Sequence, residues 1–279
     1  MADRRDAGRP GELRVQLGIY RHLLAARIRS DWQYRTSFLL LLATQTLVAG
    51  LDLAVIAVLF GKVDALAGWS ALEVGLLYGL GGVAFAFGDL FVSQVEYAGR
   101  HIKAGTFDRF LLRPMSPLLQ LSAGEFALRR SGRLVQPCVV LAIALAGAGI
   151  HWTPDRAVLV PVALASGTAV FGAIWVLTSS VAFWTVETQE FGNAFTYGGN
   201  HLTQYPIDVL GPWLRRLVTF VVPLAFVAYF PAAYLLDKPD PLGAPPEMGL
   251  ASPVVALVMV LVARATWLTA VRHYRSTGS

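Results

Sequence analysis

The sequence predicts an all-α membrane protein of six transmembrane helices, with an amphipathic interface helix before them and a short cytoplasmic helix among them. Three observations carry that prediction. Of 279 residues, 55% are hydrophobic and only 15% charged, against roughly 25% charged in a soluble domain. Apolar runs of near-spanning length recur along the chain. The 23 Lys and Arg residues gather in alternate loops between those runs. A soluble fold of this length needs a polar shell that so few, so clustered charges leave patchy. The single cysteine, Cys138, excludes a disulfide framework and a Cys-based zinc site.

Residues 1–36 form a cytoplasmic N-terminal region. Within it Leu13, Leu17, Tyr20, Leu24 and Ile28 recur at three- and four-residue steps, with Arg14, Arg21, Arg27 and Arg29 between them. That spacing predicts a helix lying at the membrane surface with a basic polar face. No apolar core precedes residue 37, so the first span is expected to stay uncleaved. Spans are predicted at 37–60, 71–95, 134–150, 157–186, 217–236 and 251–270, within a transmembrane domain of residues 37–270. About 20 helical residues cover the roughly 30 Å hydrocarbon layer. Residues 271–279 are left as a cytoplasmic tail. No internal repeat relates the two halves, unlike many secondary transporters.

Sorting the basic residues by loop gives a direction. Twenty of the 23 fall in the N-terminus, the loop after span two, the approach to span five and the C-terminal end. Lys62, Arg156 and Lys238 occupy the alternate loops. Basic flanks are retained inside, so both termini are expected in the cytoplasm, with the chain multi-pass in the cytoplasmic membrane. The net charge of +5 is thus a topology signal, and nucleic acid is not an expected partner.

The loop from residue 96 to 133 is the richest cytoplasmic piece. Gly105-Thr106 is read as a helix start, the Thr hydroxyl capping free N–H groups and Asp108 sitting in the first turn. Arg113-Pro114 closes it. A helix over 106–112 results, carrying Phe107, Phe110, Leu111 and Leu112, too many apolar groups for an isolated solvated loop. No segment has the spacing of a phosphate-binding Walker loop. If ATP is used, another chain must bind it.

Inside the spans, Asp52 and Asp89 are the outliers, because a carboxylate there costs roughly 2.5 to 3.5 kcal/mol and normally faces a cavity or a partner. Asp89 lies near the cytoplasmic end, where pairing with a basic group is the competing reading. With Trp175, Phe183 and Trp184 in span four, the two acids are candidate pathway residues suited to cationic or amphipathic cargo. Gly75 and Gly79 permit close helix packing. The five His residues offer no metal spacing. Residues 187–216 and 231–250 have no shape readable from sequence.

The order of basic amphipathic helix, two spans, a loop reading HIKAGTFDRFLLRPMSPLLQ, and a later stretch reading YPIDVLGPWLRRLVTFVVPLAFVAYFPAAYLL resembles the membrane subunit of ABC-2 type ABC exporters. The closer likeness is to small six-helix permeases of the viologen and multidrug exporter kind. The resemblance covers essentially the whole chain and implies the type V ABC exporter transmembrane fold. It implies that Gly105, Thr106, Phe107, Asp108, Arg109, Phe110 and Arg113 form a coupling helix docking on a separate ATP-binding subunit, expected in two copies. It further implies that a second permease, identical or homologous, pairs with this one, with lipid around both. ATP and Mg would sit on the partner subunit and no cofactor on this chain. Such relatives also place re-entrant helices near the outer end of span five; Pro223 and Pro231 interrupt that region and are candidate outer-gate residues.

The expected function is therefore a non-catalytic permease subunit exporting amphipathic or drug-like cargo. A stand-alone proton- or ion-coupled carrier using Asp52 and Asp89 is the alternative. A membrane enzyme finds no catalytic constellation in any loop.

Overall fold

The computed structural model describes single residues between Thr36 and Phe60, all helical, and then residues 60–113, 115–124, 132–185 and 189–274. The amphipathic N-terminal helix, Asp52, Pro114 and the tail beyond Tyr274 lie outside the described residues. Among the described residues, three helical stretches are long and apolar enough to cross a membrane: Ala71–Phe91, Pro154–Phe183 and Pro246–His273.

Helix α1 (Ala71–Phe91) opens on a capping box. The Ser70 hydroxyl accepts from the Glu73 N–H, and the Glu73 carboxylate accepts from the Ser70 N–H at 2.7 Å, satisfying two otherwise orphaned donors. A 3₁₀ turn at Ser93–Tyr97 leads to α2 (Ala98–Lys103), α3 (Asp108–Leu111) and α4 (Pro117–Gly124), clustered at one end of the bundle. From there α5 (Gly132–Gly147) returns along the glycine face of α1. A Cβ on Gly79 would stand 2.6 Å from that of Leu141 and 2.7 Å from its Cα, while Gly82 faces Pro137 and Gly75 faces Val140 and Ala144. The small-residue pattern thus serves packing within the chain.

Helix α6 (Pro154–Ser180) begins with proline in its first turn, where the missing N–H is harmless. It runs alongside α1 in the same direction: Gly167 meets Ala84, and Gly88 meets Phe171 and Trp175. The last long helix, α10 below, packs antiparallel on α6.

The predicted fifth span is not one straight helix. Helix α7 (Gln189–Thr203), in the stretch left without a shape, runs back along the bundle before it. Its Gly192 lies by Thr178 near the α2–α4 end, the Tyr197 ring is 5.3 Å from Phe85, and Thr203 abuts Gly81. Five residues later Asp208 accepts from the Trp69 indole N–H at 3.1 Å, beyond the start of α1. The chain has by then travelled the length of α1. Its polar residues Asn193, Thr196 and Asn200 hid this helix from a hydropathy reading.

Residues 212–235 then form a hairpin with both feet at the Trp69 end. The first limb is α8 (Pro212–Arg216), continued as a π turn through Val221. Arg215 anchors it by donating to the carbonyls of Ile207, Asp208 and Leu210 at 3.1, 2.9 and 3.2 Å. The second limb runs from Leu224 through α9 (Tyr229–Leu235), bent 73° from the first. Its Leu235 carbonyl accepts from Arg156 near the start of α6 at 3.2 Å. The tip reaches well down the bundle, where Val227 packs between Gly167 and Ala84. Pro223 sits at the bend. Pro231 does not interrupt anything: it is the third residue of α9, where a helix N–H has no partner to lose.

This placement puts Arg215 and Arg216 at the end that holds Lys62, Arg156 and Lys238, and not at the α2–α4 end with which the sequence grouped them. A strap over 236–245 and a 3₁₀ segment at Pro246–Ala251 lead into α10 (Ser252–His273). The Ser252 hydroxyl donates to the Phe226 carbonyl at 2.8 Å, tying the start of α10 to the hairpin tip.

Candidate functional site

The α2–α3 turn is set by Gly105. Its φ of +63° is open to glycine without steric cost, and the Thr106 N–H bonds back to the His101 carbonyl at 2.9 Å. This is a helix C-terminal closure, so the Gly-Thr pair ends α2 instead of starting the next helix. Thr106 makes no cap either: its hydroxyl donates to the His101 carbonyl at 3.3 Å and lies 3.0 Å from the ring Nδ1. The helix that follows spans only Asp108–Leu111, shorter than 106–112, and has no side-chain cap.

Phe107 faces inward and is fully buried. Its ring lies 5.2 Å from Phe183, 5.0 Å from Tyr274 and 6.0 Å from Phe110. Phe183 in turn meets Trp267 edge-on at 5.5 Å. The cluster joins α3 to the far ends of α6 and α10, leaving Phe107 no surface to offer a partner. The groups turned outward are Leu112 at 84% exposure, Leu111 at 43%, and the exposed Arg109 and Arg113. Asp108 is half-buried beneath them. Burial first, and the Asp108 carboxylate second, push the Tyr274 hydroxyl above the usual tyrosine range. Gln120 ties α4 in, donating to the carbonyls of Phe110 and Met115 at 2.8 and 2.7 Å.

The four described members of the proposed pathway set, Asp89, Trp175, Phe183 and Trp184, do not gather around one cavity. Asp52 lies outside the described residues. Asp89 is buried and ion-paired with Arg133 at 2.8 Å, the second residue of α5, whose guanidinium also lies 5.7 Å from the Tyr197 ring of α7. That pair stitches three helices together. Phe183 belongs to the aromatic cluster just described, and Trp184 is half exposed beside His273. Trp175 alone lines a small cleft, shared with Glu96, Thr178, Ser179, Gly192, Asn193 and Thr196. Its buried indole N–H has no hydrogen-bond partner.

At the opposite end, polar contacts fasten the strap. Arg156 donates to Asp237 at 2.5 Å, and Tyr234 donates to Asp155 at 2.9 Å. Lys238 pairs with Glu73 at 3.0 Å and donates to the Gly68 carbonyl at 2.6 Å. These residues escaped the sequence reading as a site. The signal was present: Arg156 and Lys238 are two of only three basic residues assigned there to the outer loops.

Among the described residues no group of His, Cys, Asp and Glu could hold a metal ion. A family model described as ABC-2 family transporter protein matches residues 46–278. No curated protein and no solved structure matches the chain.

Proposed function

The chain belongs to the ABC-2 transporter family, and from that premise we propose that it is the permease subunit of an ATP-driven exporter of amphipathic or drug-like cargo. Six crossings fit this reading: the span predicted from sequence at 37–60, then α1, α5, α6, α7 and α10. The eight basic residues before residue 37 and the seven between residues 96 and 133 support both termini in the cytoplasm of a cell whose inner membrane the chain spans. ATP and Mg belong to a separate ATP-binding subunit, in two copies, and a second permease, identical or homologous, completes the pathway.

The observation that carries the proposal is the split character of the α3 region. One side is locked into the bundle by Phe107. The other turns Leu111, Leu112, Arg109 and Arg113 outward, an apolar knob with a basic rim, the pattern of an interface core with a charged edge. A partner pushing on that knob moves α6 and α10 through one aromatic joint. The carrier reading loses support, because Asp89 is held by Arg133 and is poorly placed to relay protons.

The test is Leu112→Glu. Its side chain is 84% exposed, so stability should move by no more than about 0.5 kcal/mol. The tagged chain should copurify with its ATP-binding subunit, and the variant should lose both that association and cargo export. An intact association in the variant, or no ATPase with the native chain under any condition, would sink the proposal.

A further inference from the structure

Lys238 occupies a cation box built by other parts of the chain. Its ammonium donates to the Gly68 carbonyl at 2.6 Å and to the Glu73 carboxylate at 3.0 Å, and it sits 4.9 Å from the centre of the Trp69 ring. A carbonyl, a carboxylate and an aromatic face are the three things that bind an aliphatic ammonium in a partly dry site.

The box is held in shape without the strap. Paired backbone hydrogen bonds of 2.8 and 3.0 Å between Leu66 and Trp69 close the turn that presents the Gly68 carbonyl, with Ala67 and Gly68 both in the left-handed region. Glu73 is aimed by its bond from the Ser70 N–H. Trp69 is fixed through Asp208 and packs on Tyr229 at 5.6 Å. Lys238 arrives on a strap that, like the box at Ala67, holds a residue with a Cβ in the left-handed region. The preceding Asp237 has φ of +53°, a conformation that costs any residue with a Cβ, and that residue is kept there by Arg156 and by the Lys238 N–H bonded to Ala233 at 2.9 Å.

We propose that this box is a binding site for a primary or secondary aliphatic ammonium, and that Lys238 is its internal competitor. A cationic cargo reaching the Trp69 end displaces Lys238 and releases the strap over 236–245 from α1, so that arrival of cargo and opening of that end are one event. A quaternary ammonium has no N–H to give the Gly68 carbonyl and is excluded by that chemistry. The site itself stands on the geometry alone; only its part in cargo release rests on the exporter reading.

The experiment uses the full chain in lipid nanodiscs. Lys238→Ala should unfold at lower temperature, and n-butylammonium should restore the midpoint saturably, whereas tetramethylammonium, butanol and NaCl at equal ionic strength should not. A second readout needs no destabilised variant. In a Cys138→Ser background, Pro239→Cys on the strap should react with a maleimide several-fold faster when n-butylammonium is added. Restoration by butanol or tetramethylammonium as good as by n-butylammonium overturns the site, and so does a labelling rate that n-butylammonium leaves unchanged. An unresponsive box on a chain that still binds its ATPase removes this inference and leaves the exporter standing. A responsive box on a chain that binds no ATPase does the reverse.

Discussion

The two ends of the bundle are joined by different chemistry. At the α2–α4 end, Phe107, Phe183, Trp267 and Tyr274 pack ring against ring, and charge is turned outward. At the Trp69 end the fastenings are directional: Arg156 on Asp237, Lys238 on Glu73, Arg215 on three carbonyls. Close-packed rings have one arrangement and pass displacement on as a unit. These bonds break singly and can be taken over by a competing charged group: Asp237 is 63% exposed, while Arg156, Lys238 and Glu73 are 12%, 19% and 18% exposed. One end is thus built to transmit and the other to let go.

The largest expected effect comes from breaking the stiff end. Phe107→Ala should destabilise the protein by about 3–5 kcal/mol, the usual range for emptying a buried aromatic site, with Phe107→Leu recovering part of it. Thermal unfolding in detergent reads both. A loss under about 1 kcal/mol would mean the cluster is loose and the contrast between the ends is wrong. Next comes the pair between them. Asp89→Asn leaves Arg133 without its counter-charge, but the Arg133 side chain is 34% exposed. The cost should therefore fall below that of a fully buried pair, at about 2 kcal/mol. Adding Arg133→Gln should return some of it.

Two smaller effects sharpen the comparison. Raising salt to about 0.5 M shortens the screening length to a few ångströms, so amide exchange at residues 235–238 should quicken while exchange at 107–110 stays unchanged. Equal responses at both ends would remove the distinction. The smallest effect concerns Tyr274. Its pKa is raised in the fold, so its contribution is fully present below the ordinary tyrosine value of about 10 and is lost as pH rises toward the raised one. Exchange at 107–110 should quicken above that pH in the native chain and much less in Tyr274→Phe.

Much of this was legible in the sequence because membranes impose long-range regularity. The all-helical class, α1, α6 and α10 follow from apolar run length, and the Gly75–Gly79 seam from small residues at helical spacing. What was illegible depended on which side of a residue faces inward. Phe107 and Leu112 are both apolar residues in one loop, yet one is buried and the other bare, because the helical turn between them leaves residues five apart about 140° away from each other around the axis. Helix α7 was missed because hydropathy counts its polar residues as solvated, whereas Thr196 is buried with its hydroxyl on the Gly192 carbonyl of its own helix and the Asn200 side-chain oxygen is buried too. The run at 217–236 was read as a span because composition does not register that a helix bends at Pro223 and returns. The strap contacts join residues up to 170 positions apart, a pairing no local pattern encodes.

The hairpin at 212–235 also bears on how the molecule is made. Both of its feet stand on the same side of the bundle, so during synthesis the whole stretch between α7 and α10 must be delivered to that side before its apolar tip can sink back. It has no slot until α1 and α6 are in place, since its Val227 seats between Ala84 and Gly167. The hairpin therefore cannot seat before α1 and α6 have come together, and a chain stalled before that moment would show an apolar run to the insertion machinery as though it were one more crossing.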